Sequence, residues 1–183
     1  MQFSKTLLSA IIIGAFAVSS AYADKTVAAK SSSSMTSAEI GTLATVATVD
    51  KTEILLAVIT LNKKLSSDVN DFANMMIDQH GSNLTQILAM VNDAHPLTGG
   101  ESDKLAAEGK GAMLKLGAMN GDAFATAYVN AMVKGHTAVL KLIDDQLMKT
   151  AKSEEVKKFL TDTRAAVATH LEHAKKLQDK MKS

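Results

Sequence analysis

Several residue types are scarce or missing in this sequence. Its 183 residues include no cysteine, no tryptophan and a single proline. Without cysteine the chain has neither disulfides nor a thiolate metal site. The scarcity of proline, together with ten methionines and an abundance of alanine, leucine and lysine, favours helix over sheet. The composition therefore predicts an all-α protein.

The chain also lacks an excess of charge of either sign. Lys and Arg together number 20 and Asp and Glu together number 19. A nearly neutral chain has little electrostatic attraction for nucleic acid or for an anionic membrane surface. Nucleic acid is therefore not expected as a partner, whereas a protein partner or a homo-oligomer is left open.

The N-terminal segment has the features of a secretion signal. Lys5 precedes an apolar run over residues 7–18, and small residues ending in Ala21-Tyr22-Ala23 follow. Ala-x-Ala is the pattern typical of signal-peptidase cleavage. The run is shorter than the roughly 20 apolar residues that a membrane span needs. We predict a signal peptide over residues 1–23 and export, most simply to the periplasm of a Gram-negative bacterium, with no transmembrane segment after cleavage.

Residues 24–35 differ from the rest of the chain after the signal. They include four consecutive serines and almost nothing to bury, so we predict a flexible tether. From residue 36 to residue 182, apolar residues recur at helical spacing in four stretches. Four sites have side chains suited to cap these helices at their N-termini: Ser37 or Thr36, Ser66 or Ser67, Asp122, and Ser153.

The joins between the four helical stretches differ in length. The first join, at Leu65-Ser66-Ser67, and the last, just before Ser153, are short. The middle join is long: it follows His95-Pro96, contains Gly99-Gly100 and includes a weaker helical segment from Asp103 to about Leu116. Short joins make consecutive helices antiparallel neighbours. The pattern predicts an antiparallel four-helix bundle over residues 36–182, with a short crossover helix between helices two and three.

Polar residues interrupt the apolar stripe of every predicted helix. His80 on helix two, His136 on helix three and His170 on helix four all point inward by helical phase. Asp50 lies in the stripe of helix one, with Glu53 one turn later. Distances counted from the short joins put all five residues in one middle layer of the bundle.

Two interpretations fit this layer. In the first, the three histidines and a carboxylate bind one divalent metal, zinc or another late transition metal. In the second, they form a hydrogen-bonded polar layer that fixes helix register and holds no metal. Asp50 and His173, which follows His170 by three residues, are second-tier candidates. The predicted metal ligands are Glu53, His80, His136 and His170.

Four segments of the chain resemble a known family. They are Thr52-Glu53, Phe72 to His80, Phe124 to His136, and His170-Leu171 with Ala174. The sequence from Ser37 to about Lys180 resembles the secreted, ferritin-like bacterial proteins catalogued as domain of unknown function 4142. The resemblance implies a ferritin-like four-helix bundle in the cell envelope. It implies that Glu53 and the three histidines are motif positions, and it implies no activity.

The sequence departs from the di-iron pattern of ferritins. Di-iron bundles carry Glu-x-x-His on two helices and a Glu on each of the others. Here the residues three before the histidines are apolar: Ile77, Val133 and Val167. A site for one metal ion therefore fits these residues better than a di-iron site does.

Three functional hypotheses follow from these patterns. The first is a periplasmic metal-binding bundle that acts in metal handling or envelope stress. The second is a non-catalytic interaction or structural module whose polar layer only fixes helix packing. The third is an oxidase with an open metal position. Because the sequence contains no nucleophile–base pair and no glycine-rich phosphate loop, catalysis is not predicted.

Overall fold

The secondary structure of the described chain is entirely helical. A computed structural model describes residues 35–91, 97 and 99–182, and these residues contain no strand. The helices are α1 (Ser37–Leu61), α2 (Ser67–Val91), α3 (Ser102–Gly117), α4 (Gly121–Leu142), a π-helical turn (Ile143–Leu147), α5 (Met148–Thr150) and α6 (Glu154–Lys180). The prediction of an all-α protein is confirmed. Helices one to four of the sequence analysis correspond to α1, α2, α4 and α6, and the crossover segment to α3.

Some predictions fall outside the described residues. These are the signal peptide over residues 1–23, the tether up to residue 34, and the helix end at His95-Pro96. Within the described part of the chain, no helix combines the length and the apolar character that a membrane span requires.

The N-terminus of α1 is joined to that of α6 by one buried carboxylate. Thr36 caps α1, and its hydroxyl and the Glu39 side chain form a reciprocal capping box. Glu39 Oε1 also accepts hydrogen bonds from the backbone N–H groups of Lys152 (3.0 Å) and Ser153 (2.7 Å). Burial raises the pKa of Glu39, but these hydrogen bonds outweigh it and lower the pKa to about 2.

The predicted caps are partly correct. Ser153 caps α6 and accepts a hydrogen bond from the backbone N–H of Val156, as predicted. The prediction of Asp122 as a cap is wrong, because α4 begins one residue earlier, at Gly121, and Asn120 occupies the cap position. Gly121 has a φ of 55°, a conformation that favours glycine and so fixes where the chain turns into the helix.

Helix α1 is buried on more sides than one apolar stripe predicts. It packs against α2 on one side and α3 on another. Gly109 of α3 lies so close to α1 that an added Cβ would be 2.7 Å from the Thr52 side chain. Residues beside the predicted stripe are buried as well: Thr42, Ala44, Thr45 and Val46.

The core consists of two apolar clusters with polar residues between them. One cluster contains Leu56 of α1 with Phe72 and Met76 of α2, and the other contains Leu43 of α1 with Ile87 of α2. Six buried polar residues lie, along their helices, between the positions that enter the two clusters. The polar residues between the clusters are Asp50, Glu53, His80, His136, Thr163 and His170.

Candidate metal centre

Three histidines from three helices meet between the two apolar clusters. His80 on α2, His136 on α4 and His170 on α6 are each at most 4 % exposed. Their ring centroids are 5.9 Å (His80–His136), 5.0 Å (His80–His170) and 5.3 Å (His136–His170) apart. One ring nitrogen from each lies within 4.8 Å of those of the other two. The predicted convergence of these three residues is therefore observed, and the group could hold a metal ion.

Each imidazole has one ring nitrogen in a hydrogen bond to the surrounding protein. Nδ1 of His80 is 2.8 Å from a carboxylate oxygen of Asp50. Nδ1 of His136 is 2.8 Å from the backbone carbonyl oxygen of Met132, one turn earlier in α4. Nε2 of His170 is 2.7 Å from Oε1 of Gln79. Because carbonyl and carboxylate oxygens accept, each of these nitrogens is the protonated one, and the other carries the lone pair.

The remaining ring nitrogens are buried without a hydrogen-bond partner among the described residues. They are His80 Nε2, His136 Nε2 and His170 Nδ1. An unsatisfied buried polar atom costs about 1–3 kcal/mol, and native proteins contain few of them. Three in one group are the arrangement expected of metal ligands, which bind through one nitrogen and are oriented through the other.

The electrostatics favour neutral imidazoles at His136 and His170. Burial lowers the pKa of His136, and the attraction of Glu53 offsets only part of that effect. Burial and the neighbouring imidazoles of His80 and His136 lower the pKa of His170 to about 3. Neutral imidazole is the form that donates a lone pair to a metal.

Asp50 orients His80 rather than joining the three nitrogens. Its carboxylate accepts hydrogen bonds from His80 and, at 2.9 Å, from Nδ2 of Asn83. The Thr163 hydroxyl in turn donates to Oδ1 of Asn83 at 3.0 Å, so the chain of contacts links α1, α2 and α6. Burial raises the pKa of Asp50, and its two hydrogen bonds offset only part of that increase.

Glu53 is buried in the polar layer but lies outside the group of three nitrogens. It is 7 % exposed, and its Oε2 has no hydrogen-bond partner among the described residues. Its Oε1 lies 3.6 Å from the position that a Cβ at Gly135 would occupy, next to His136 in the chain. The carboxylate is therefore a neighbour of the histidine group and not, in this arrangement, a member of it.

His173 is separate from the group. Its side chain is exposed, and Nδ1 lies 3.3 Å from the Met75 sulfur. It borders a surface depression with Asp68, Asp71 and Phe72. The structure therefore does not bring this second-tier candidate to the buried imidazoles.

Three further residues support the group: Gln79 is hydrogen-bonded to His170, Asn83 to Asp50, and Thr163 to Asn83. The sequence did not predict any of them as site residues. Gln79 is exposed on α2, so the apolar periodicity gave no signal for it. Asn83 is half-buried and follows His80 by three residues, which places it on the same helix face. A search for polar residues within one helical turn of each histidine would have found Gln79 and Asn83.

The comparison with protein families adds one finding. The model of a family described as a domain of unknown function (DUF4142) matches residues 24–177. The chain belongs to this family. The predicted membership of this family is confirmed, and the match includes all three histidines and both carboxylates of the polar layer. No curated protein and no solved structure gave a significant match.

Proposed function

We propose that this DUF4142 protein binds one divalent late transition metal, zinc or a close relative, at the three buried histidines. The donors are Nε2 of His80, Nε2 of His136 and Nδ1 of His170. Neutral imidazoles suit such metals, and three histidines are a known zinc-binding set. The site would serve metal handling or the response to envelope stress.

The observation that carries this proposal is the set of three buried nitrogens without partners. In tetrahedral geometry, with Zn–N distances of about 2.0–2.1 Å, three imidazoles have ring centroids roughly 5 Å apart. The observed centroid separations of 5.0–5.9 Å are close to that value. Small side-chain movements would therefore bring the donors to bonding distance.

Glu53 completes the proposed centre. A divalent cation in a buried layer of neutral imidazoles needs a compensating negative charge. Glu53 is buried beside His136 and has an oxygen without a partner, so a rotation of its side chain would make it the fourth ligand. Glu53, predicted from the sequence as a ligand, thus stays a proposed ligand that binds after its side chain rotates.

We also propose a four-helix fold and an exported location for the protein. We infer an antiparallel four-helix bundle of ferritin type, formed by α1, α2, α4 and α6, with α3 as the crossover. The packing of α1 on α2, of α4 on α6 and of α2 on α6 supports it. We also infer export after cleavage near residue 24, and the family match, which begins at that residue, supports this inference.

Metal content tests the proposal. The chain from residue 24, purified without an affinity tag, is expected to bind one zinc per molecule by mass spectrometry. His80→Ala and His136→Ala should lose it, whereas His173→Ala, a histidine outside the group, should keep it. Zinc at 100 times its Kd should stabilise the wild type by about 2.7 kcal/mol and raise its Tm by several degrees. A metal-free protein whose Tm does not respond to zinc would contradict the proposal.

A purely structural polar layer is the second candidate. The chain from Thr163 through Asn83 and Asp50 to His80 favours it, because these hydrogen bonds join three helices and fix their register. It leaves the three unpartnered nitrogens unexplained. On this alternative, His136→Ala would change the Tm equally with and without zinc.

A further inference from the structure

A cleft between α2 and α6 reaches two residues of the histidine group. His80 and His170 form part of its wall, and Ala166 and Ser82 lie on its opposite sides, on α6 and α2. Its volume is about 200 Å³. His136 does not line the cleft, so the cleft reaches the group from one side only.

Uncharged polar residues make up half of the ten residues that line the cleft. Gln79, Asn83 and Gln86 supply amides, and Ser82 and Thr163 supply hydroxyls. Its one carboxylate, Asp162, pairs with Lys158 at 2.6 Å. These side chains can donate and accept hydrogen bonds to a small ligand, and the lining gives little net attraction to either sign of charge.

A second depression, separate from the α2–α6 cleft, also borders the polar layer. Glu53 borders a separate depression between α1, α3 and α4, together with Gly109 and Lys134. The carboxylate and the cleft thus lie against different helices of the histidine group. A ligand that enters between α2 and α6 meets His80 and His170 and does not compete with Glu53 for space.

We infer that the metal keeps a coordination position open to the α2–α6 cleft, where water or a small anion binds. This inference rests on the proposed metal site. Zinc held by three protein ligands commonly binds an exogenous fourth ligand, and it can expand to five. The cleft ligand is therefore the fourth when Glu53 remains free and the fifth when Glu53 binds.

The small volume of the cleft, about 200 Å³, favours a ligand of a few heavy atoms. Sites for drug-sized molecules measure about 300–1,000 Å³. Water, azide, bicarbonate and similarly small hydrophilic species fit, whereas a large organic substrate would project into solvent.

Cobalt(II) and azide test this inference. The chain from residue 24 is loaded with cobalt, its cobalt content is measured, and its visible absorption is followed during titration with azide. Ala166→Phe and Ser82→Phe place a bulky ring in the cleft from opposite walls. Ala165→Phe is the matched control, because Ala165 is exposed on the same helix outside the cleft. Circular dichroism checks that each variant is folded.

The expected result is a saturable change in the cobalt spectrum of the wild type and of Ala165→Phe. Both cleft variants should bind one cobalt and weaken azide binding by roughly tenfold or more, about 1.4 kcal/mol. A protein that binds one cobalt but shows no azide response overturns the inference and leaves the metal site intact. Equal azide affinity in the control and both folded cleft variants also overturns it. Failure to bind cobalt or zinc overturns the metal site and the inference together.

Discussion

At the scale of the residue, protonation of the buried imidazoles should destabilise the metal-free protein. Both His136 and His170 titrate near 6.5 in an unfolded chain, whereas burial lowers the pKa of each in the folded protein, that of His170 to about 3. Between these values the unfolded state binds more protons. The free energy of unfolding therefore falls as the pH decreases from 6.5 toward the pKa values of these histidines in the folded protein.

His170→Gln isolates this effect. It removes one titrating group, so between pH 6 and pH 4 the free energy of unfolding should fall less steeply than in the wild type, by up to about 1.4 kcal/mol per pH unit. Denaturant titrations of the metal-free proteins at several pH values measure the two slopes. His173→Gln, at an exposed position, removes only the smaller electrostatic contribution of His173 to the pKa of His170, so it should change the slope less than His170→Gln does. Identical slopes for His170→Gln and the wild type would contradict the assignment of a neutral, buried His170.

The site residues differ in how far the sequence could predict them. His80, His136 and His170 occupy positions in apolar helical stripes, so periodicity alone indicated that they are buried. Gln79 contacts His170 from the exposed side of α2, where a polar residue is ordinary and gives no signal. The separation of Glu53 from the three nitrogens depends on side-chain rotation, which residue spacing does not determine.

At the scale of the element, the contact between α1 and α3 depends on one glycine. A Cβ at Gly109 would lie 2.7 Å from the Thr52 side chain, so Gly109→Ala should force the two helices apart. We expect it to lower the free energy of unfolding by about 1–3 kcal/mol. Gly111→Ala, on the same helix, meets nothing within 4 Å and should raise it by up to about 1 kcal/mol. Thermal or denaturant unfolding measures both, and a stabilised Gly109→Ala would contradict the close packing.

The sequence predicted the start of a helix where a capping side chain precedes an apolar stripe. Thr36 and Ser153 cap α1 and α6 as expected, because a hydroxyl before an apolar stripe satisfies a free helical N–H. The π-helical turn over Ile143–Leu147 was not predicted, since the buried Ile143 and Leu147 are four residues apart, as in an α-helix. The burial of several sides of α1 also escaped prediction, because it arises from tertiary contacts, of α3 with Thr52 and of α5 with Thr42, that the periodicity of α1 does not indicate.

At the scale of the whole molecule, the described core alternates between apolar and polar layers. The two apolar clusters supply hydrophobic stabilisation on either side of the histidine group. Each of the three buried ring nitrogens without a hydrogen-bond partner in the described part of the chain would cost about 1–3 kcal/mol of stability. A bound metal would satisfy all three at once, so the central claim is that this layer is a metal site.

The most direct test is a crystal structure of the zinc-loaded protein with anomalous diffraction recorded at the zinc absorption edge. We predict one strong anomalous peak, about 2.0–2.1 Å from Nε2 of His80, Nε2 of His136 and Nδ1 of His170. A zinc-soaked crystal with no peak at these three nitrogens, or with zinc bound only at exposed His173, would contradict the claim.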